Sequence, residues 1–114
     1  MHHVLTSESA VEALLESPHP VWLFKHSSTC SISAAALDEF NAFLASHPDA
    51  PAGMVVVQQQ RPLSNWIATR LRSVHQSPQV FLLHGGAVRW QASHWSITAA
   101  NLEQALARLP VKAS

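Results

Sequence analysis

Charge is scarce in this chain: charged residues fill 12% of its 114 positions, and Lys+Arg and Asp+Glu count seven each, leaving a formal net charge of zero. A general binder of the phosphate backbone needs a surplus of Lys and Arg to displace counterions, so the balance argues against nucleic acid as a partner. The eight His residues add positive charge near pH 6, but they are scattered and form no basic run. No apolar stretch approaches the roughly 18–20 residues that span a bilayer, so no membrane partner is expected. The first twenty residues lack a Lys/Arg-led segment followed by an apolar core, so no secretory signal is expected. With a single Cys no internal disulfide can form. A reducing cytoplasm is the expected compartment, and any redox role must draw on partners outside the chain. Also missing are an HExxH pair or any Cys/His cluster with ligand spacing, so no metal site is expected. Neither a G-x-S-x-G elbow nor a Cys-protease signature is present to support a hydrolase.

What is present is apolar: 47% of the residues are hydrophobic, enough for the chain to collapse. Residues 1–114 fit one domain, since halves would be too small to bury stable cores. The apolar rhythm changes period several times. Residues 7–16 read as a helix carrying Val11, Leu14 and Leu15, with Ser9 and Glu12 spaced as a capping box. Pro18 and Pro20 stop it, and Val21-Trp22-Leu23-Phe24 is the kind of run that a strand buried on both faces shows. Residues 30–46 predict a helix with Leu37, Phe40 and Leu44 on one side. Met54-Val55-Val56-Val57 is a second buried strand, followed by a short helix that Ser64 can cap. Val80-Phe81-Leu82-Leu83 is a third strand, and His84-Gly85-Gly86-Ala87 a hairpin turn into an alternating edge strand over 88–93. A last helix spans roughly 98–109. The order α-β-α-β-α-β-β-α, a βαβ half and a ββα half, predicts an α/β protein: a central mixed sheet flanked by helices on both faces, as in the thioredoxin-like fold.

Cys30 follows the first strand directly and opens a helix. A thiol there faces unpaired backbone N–H groups and the positive end of the helix dipole, which favour the nucleophilic thiolate. Lys25 and His26 can add positive charge, although strand geometry points only one of them usefully. A small buried Cys is the bland alternative, but the polar neighbours argue against it. Ser33 lies three residues on, beside Cys30 on a helix start, where a dithiol enzyme keeps its resolving Cys. Its hydroxyl can donate a hydrogen bond to a thiolate but cannot form a disulfide. Ser77-Pro78 precedes the third strand; in thioredoxin-like folds a cis-Pro at this place lies beside the reactive Cys, and the residue before it presents main-chain groups to an incoming peptide or thiol. Arg61 opens the segment after the second strand, a good place to hold an anion, though a solvated Arg fits equally well. His94 and Trp95 end the edge strand; His94 is a candidate ligand contact and Trp95 a candidate cover, a structural Trp being the alternative.

Together these stretches resemble the YtxJ-like family of monothiol bacilliredoxins. The resemblance rests on Phe24-Lys25-His26-Ser27 with Thr29-Cys30-Ser31-Ile32-Ser33-Ala34-Ala35-Ala36, on Arg61-Pro62-Leu63-Ser64-Asn65, on His75-Gln76-Ser77-Pro78-Gln79 and on Ala92-Ser93-His94-Trp95. It implies a thioredoxin-like enzyme that removes bacillithiol from protein mixed disulfides. Cys30 would be the active-site thiol, and Ser33 would stand at the missing resolving position. Thr29, Ser31, Arg61, Ser77, Pro78 and His94 would contact substrate. No cofactor would be bound: bacillithiol is the co-substrate, bacillithiolated client proteins are the partners, and a separate NAD(P)H-dependent reductase recycles bacillithiol disulfide. The malate portion of bacillithiol carries two carboxylates, for which Arg61, Lys25 or His94 would be anchors. One departure stands out: the family pattern reads T-C-P-I-S, whereas Ser31 follows the Cys here, which frees the backbone and returns an N–H near the sulfur. Two other readings compete with the enzyme. One is an iron–sulfur cluster carrier like the monothiol glutaredoxins, sharing four thiolates between two subunits and two external thiols. The other is a redox sensor or binding module whose Cys30 is merely capped.

Overall fold

A computed structural model describes residues 2–109 of the chain. Its centre is β2 (Val21–His26), every residue of which is buried except the half-buried His26 at its end. β3 (Ala52–Val56) runs parallel to β2 on one side, pairing Trp22 with Ala52 through His26 with Val56. On the other side β4 (Gln79–His84) runs antiparallel, pairing Val21 with Leu83 through Lys25 with Gln79. A hairpin joins β4 to β5 (Ala87–Ser93), and its two central residues, Gly85 and Gly86, sit at φ +64° and +77°. Two consecutive positive φ values are what a two-residue turn needs to match strand twist, and glycine takes them without steric cost. A two-residue strand, β1 (His3–Val4), pairs parallel to β3 and completes the five-stranded order β1-β3-β2-β4-β5.

The period-two alternation of the strands divides the core between the two faces. Trp22, Phe24, Met54, Val56, Val80 and Leu82 point to one face. There they meet Phe40, Phe43 and Leu44 of α2 (Ser31–Ala45) and Leu102 and Ala105 of α4 (Ala99–Ala107). Val21, Leu23, Val55, Phe81 and Leu83 point to the other. They meet Val11 and Leu15 of α1 (Glu8–Leu15) and Leu63, Ile67 and Leu71 of α3 (Arg61–Leu71). Gly53 is required on this second face: a Cβ there would lie 2.5 Å from the Leu5 side chain.

Three local expectations need correction. The two-residue β1 lies outside the expected order, because a pair so short carries no readable period. The N-cap of α1 is Ser7, whose Oγ accepts the Ala10 N–H at 3.1 Å, and not Ser9. Glu12 leaves the capping box for a bidentate pair with Arg70 at 2.9 and 3.1 Å, which ties α1 to α3. Finally, α3 begins at Arg61, so Ser64 lies inside the helix, fully buried, rather than capping it. Pro62 permits the earlier start, since the first turn of a helix has no amide bond for proline to lose.

Candidate active site

β2 and β3 end side by side, and the chain leaves each of them toward a different face. From β2 it passes through Ser27–Thr29 into α2, and from β3 through a tight turn into α3. Cys30 is the N-cap of α2, with extended backbone angles, and its carbonyl accepts the Ala34 N–H at 3.1 Å. Its side chain makes no capping hydrogen bond, so the thiol stands, half-buried, at the mouth of the free first-turn amides. Thr29 and Ser31 on either side are exposed, which suits the contact role expected of them.

Ser33 is where the expectation fails. Its hydroxyl is fully buried and turned away from solvent. It accepts the Ser27 N–H at 2.9 Å and lies 2.8 Å from His26 Nδ1. With one lone pair engaged by Ser27, the arrangement that satisfies every group sends the Ser33 proton to Nδ1 of a neutral imidazole. His26 is suited to that: burial and the neighbouring His2 hold its pKa below the ordinary histidine value. So Ser33 fastens the first turn of α2 to the end of β2 and is not a partner of the sulfur, and His26 brings no positive charge to the site. Ser33→Ala strands the half-buried Ser27 N–H and His26 ring nitrogen, and is expected to cost roughly 1 kcal/mol of stability. Denaturant unfolding at pH 7 checks this, and an unfolding midpoint equal to that of the unmodified chain would contradict it. Exchange chemistry should persist in the folded fraction, because the hydroxyl supplies nothing to the thiol.

Lys25 also departs from expectation. Alternation turns it to the opposite face from His26, where it is fully buried and cannot reach a ligand. Its Nζ lies 3.0 Å from His75 Nδ1, which Ser64 Oγ also approaches at 3.3 Å. Burial lowers the Lys25 pKa to about 8. Burial and the nearby charges of Lys25 and Arg61 hold His75 below its ordinary value. His75 is therefore the neutral acceptor of the Lys25 ammonium. Arg61 itself is exposed at the first position of α3, at the same end of the sheet as Cys30 but on the other face.

The Ser77–Pro78 peptide is cis. Continuing the β2–β4 register one and two steps past Lys25–Gln79 sets Pro78 opposite His26 and Ser77 opposite Ser27, beside the segment that leads to Cys30. Pro78 is buried and so shapes the site, while Ser77 is half-buried with its Oγ enclosed and without a hydrogen-bond partner among the described residues. The His94 N–H donates to Pro78 O at 3.2 Å, and His94 adopts φ +53°. The short 3₁₀ turn of His94–Ser96 packs on α2, with Trp95 70% exposed. The thiol loop, the cis-Pro loop and the His94–Trp95 corner are thus gathered at one end of the molecule.

Two glutamines escaped that reading. Gln79 is buried after Pro78, and its amide takes the Gln76 N–H and donates to Val74 O and Gln91 Oε1, which braces the loop carrying Ser77. Gln58, after β3, makes its hydrogen bonds to the thiol loop. Glutamine carries no intrinsic chemical signal, so only the strand order could have exposed either one. Among the described residues no group of three or more His, Cys, Asp or Glu is placed to hold a metal ion.

Residues 3–102 match the family model of the monothiol bacilliredoxin BrxC. A solved thioredoxin-fold structure, of a protein proposed to be an oxidoreductase, is 38% identical, with a TM-score of 0.87 over 92% of this chain and 93% of that one. Thioredoxin from Trypanosoma brucei brucei superposes with a TM-score of 0.77 at 12% identity, over 94% of this chain and 88% of its own. Thioredoxin from Fasciola hepatica gives 0.76 at 15% identity, over 93% and 97%. These two likenesses speak for the fold alone. With its one cysteine at the head of α2 and the family match running from β1 into the start of α4, the chain belongs to the monothiol bacilliredoxin family and has the thioredoxin fold.

Proposed function

We propose that the protein is a monothiol thiol-disulfide oxidoreductase that strips bacillithiol from client proteins in the cytoplasm. The observation that carries this reading is the pairing of a half-exposed Cys30 at a helix N-cap with a serine, buried and engaged, where a second thiol would have to stand. In the first step the Cys30 thiolate attacks the bacillithiol sulfur of the mixed disulfide. The Cys30–bacillithiol bond forms, the old S–S bond breaks, and the client leaves as its thiolate. In the second step the thiolate of a free bacillithiol attacks that bound sulfur, releasing bacillithiol disulfide and restoring Cys30. The net exchange passes the disulfide from the client to bacillithiol: the free bacillithiol thiolate is oxidised as the client sulfur is reduced, and the bacillithiol sulfur that left the client stays at the disulfide level until two electrons from outside reduce bacillithiol disulfide to two thiols. A separate NAD(P)H-dependent reductase supplies those two electrons, and no cofactor is needed by this chain. Of the three anchors considered for the bacillithiol carboxylates, Lys25 is removed by its burial. Arg61 and His94 remain, one exposed and the other half-buried.

The test is multiple-turnover release of bacillithiol from a bacillithiolated protein, followed by intact mass, with free bacillithiol present and a glutathionylated client in parallel. Many equivalents released, with bacillithiol preferred, is the expected result. A single capped equivalent without turnover would replace the enzyme by a sensor, and equal rates on both clients would reject the substrate assignment.

A further inference from the structure

Val57 N–H donates to His26 O at 2.9 Å, so the parallel ladder runs one step beyond β3 and sets Gln58 alongside the start of the thiol loop. The turn that carries Gln58 is itself pinned, because the Gln59 and Gln60 N–H groups both return to Val56 O, at 3.1 and 2.9 Å. From that platform the Gln58 carboxamide crosses to the other crest. Its Oε1 accepts from Ser28 N at 3.0 Å and from Ser28 Oγ at 3.3 Å. Its Nε2 donates to Ser27 Oγ at 2.7 Å and to Thr29 Oγ1 at 3.1 Å. A primary amide has two N–H donors and two carbonyl lone pairs. Here all of them go to three consecutive residues, the last of which precedes Cys30.

We propose that Gln58 is a positioning residue for the thiol: its carboxamide holds Ser27, Ser28 and Thr29 in the conformation that sets Cys30 at the head of α2. The role rests on Cys30 being the reacting group, as argued above, but not on bacillithiol being its substrate. The need for a clamp follows from the topology. The two chains leave neighbouring strands for opposite faces, so nothing in the backbone ladder keeps the crests together past Val57. Ser33 holds the loop from inside through the Ser27 N–H, and Gln58 holds it from outside. Asparagine is one methylene too short for the same span, and alanine offers no bond at all.

Two variants and two readouts that need no bacillithiol test this: hydrogen–deuterium exchange of the Ser28 amide, and the rate of Cys30 alkylation by iodoacetamide at pH 7. In Gln58→Ala the Ser28 amide should exchange several-fold faster. The alkylation rate should fall roughly threefold or more as Cys30 strays from the α2 amides. In Gln58→Glu the Ser27 and Thr29 hydroxyls rotate to donate to the carboxylate, so Ser28 protection should be kept. The added negative charge should still slow alkylation, and salt should partly reverse that loss. An unchanged Ser28 exchange rate, or an unchanged alkylation rate, in folded Gln58→Ala would overturn the proposal. A wild-type chain inactive on bacillithiolated clients that still shows both Gln58 effects would reject the substrate and keep the clamp.

Discussion

Cys30→Ser is expected to abolish exchange while leaving the protein folded and slightly more stable. The chain has no other thiol, so no second nucleophile can take over attack on a disulfide. A serine hydroxyl is neither acidic enough nor soft enough to replace it. The release rate should fall to the uncatalysed background, a loss of at least roughly a thousandfold. Stability should move the other way. Cys30 makes no side-chain capping bond to α2, whereas serine is among the preferred N-caps and can accept from the free amides of the first turn. A gain of up to about 1 kcal/mol in denaturant unfolding is expected, the size of a typical cap. Losing activity while gaining stability would show that the thiol occupies a position the helix would rather give to an oxygen. Residual turnover above background would sink the assignment of Cys30 as the reacting group.

Lys25 carries the second large effect, on stability rather than rate. Its ammonium is fully buried beside a neutral His75, and burial brings its pKa from 10.5 to about 8. Below pH 8 the lysine is charged in both folded and unfolded chains. Between about 8 and 10.5 the folded chain has released the proton and the unfolded chain still holds it. Unfolding stability therefore rises with pH across that window, by at most about 3 kcal/mol. The composition makes the rise easy to see: there is no tyrosine, and the remaining lysine is Lys112, outside the described residues. Measuring in the Cys30→Ser background removes the thiol from the same pH range. Lys25→Met should be more stable than the parent at pH 7 and should show no alkaline rise, while Ser64 remains to bond His75. Urea unfolding at pH 7, 8, 9 and 10 checks both statements. A parent curve that stays flat above pH 8 would show that water reaches Nζ and that the site is not dry.

The neighbouring residues Lys25 and His26 show why sequence and structure each decide only part of the site. Read along the chain, both are cations just ahead of a reactive thiol. Read across the sheet, alternation sends one to each face, where burial neutralises the His26 imidazole and seals Lys25 from any ligand. Ser33 follows the same logic. Its spacing from Cys30 is a helical fact and was legible, but the direction of its hydroxyl depends on where β2 ends, since Ser27 and His26 are its partners.

By itself the sequence determined the alternation of buried strands with amphipathic helices, the Gly85–Gly86 hairpin, the thiol at the start of α2 and the family to which the chain belongs. The first three are properties of local period and turn chemistry, readable within a window of a dozen residues or so, and the family is read from short motifs that recur in order along the chain. Only the tertiary structure decided which polar groups meet: Gln58 with the thiol loop, Gln79 with the cis-Pro loop, Lys25 with His75, Glu12 with Arg70. The reason is physical. Such contacts join residues many positions apart. Their partners are chosen by strand order and by which face of the sheet a side chain takes, and no local pattern encodes either.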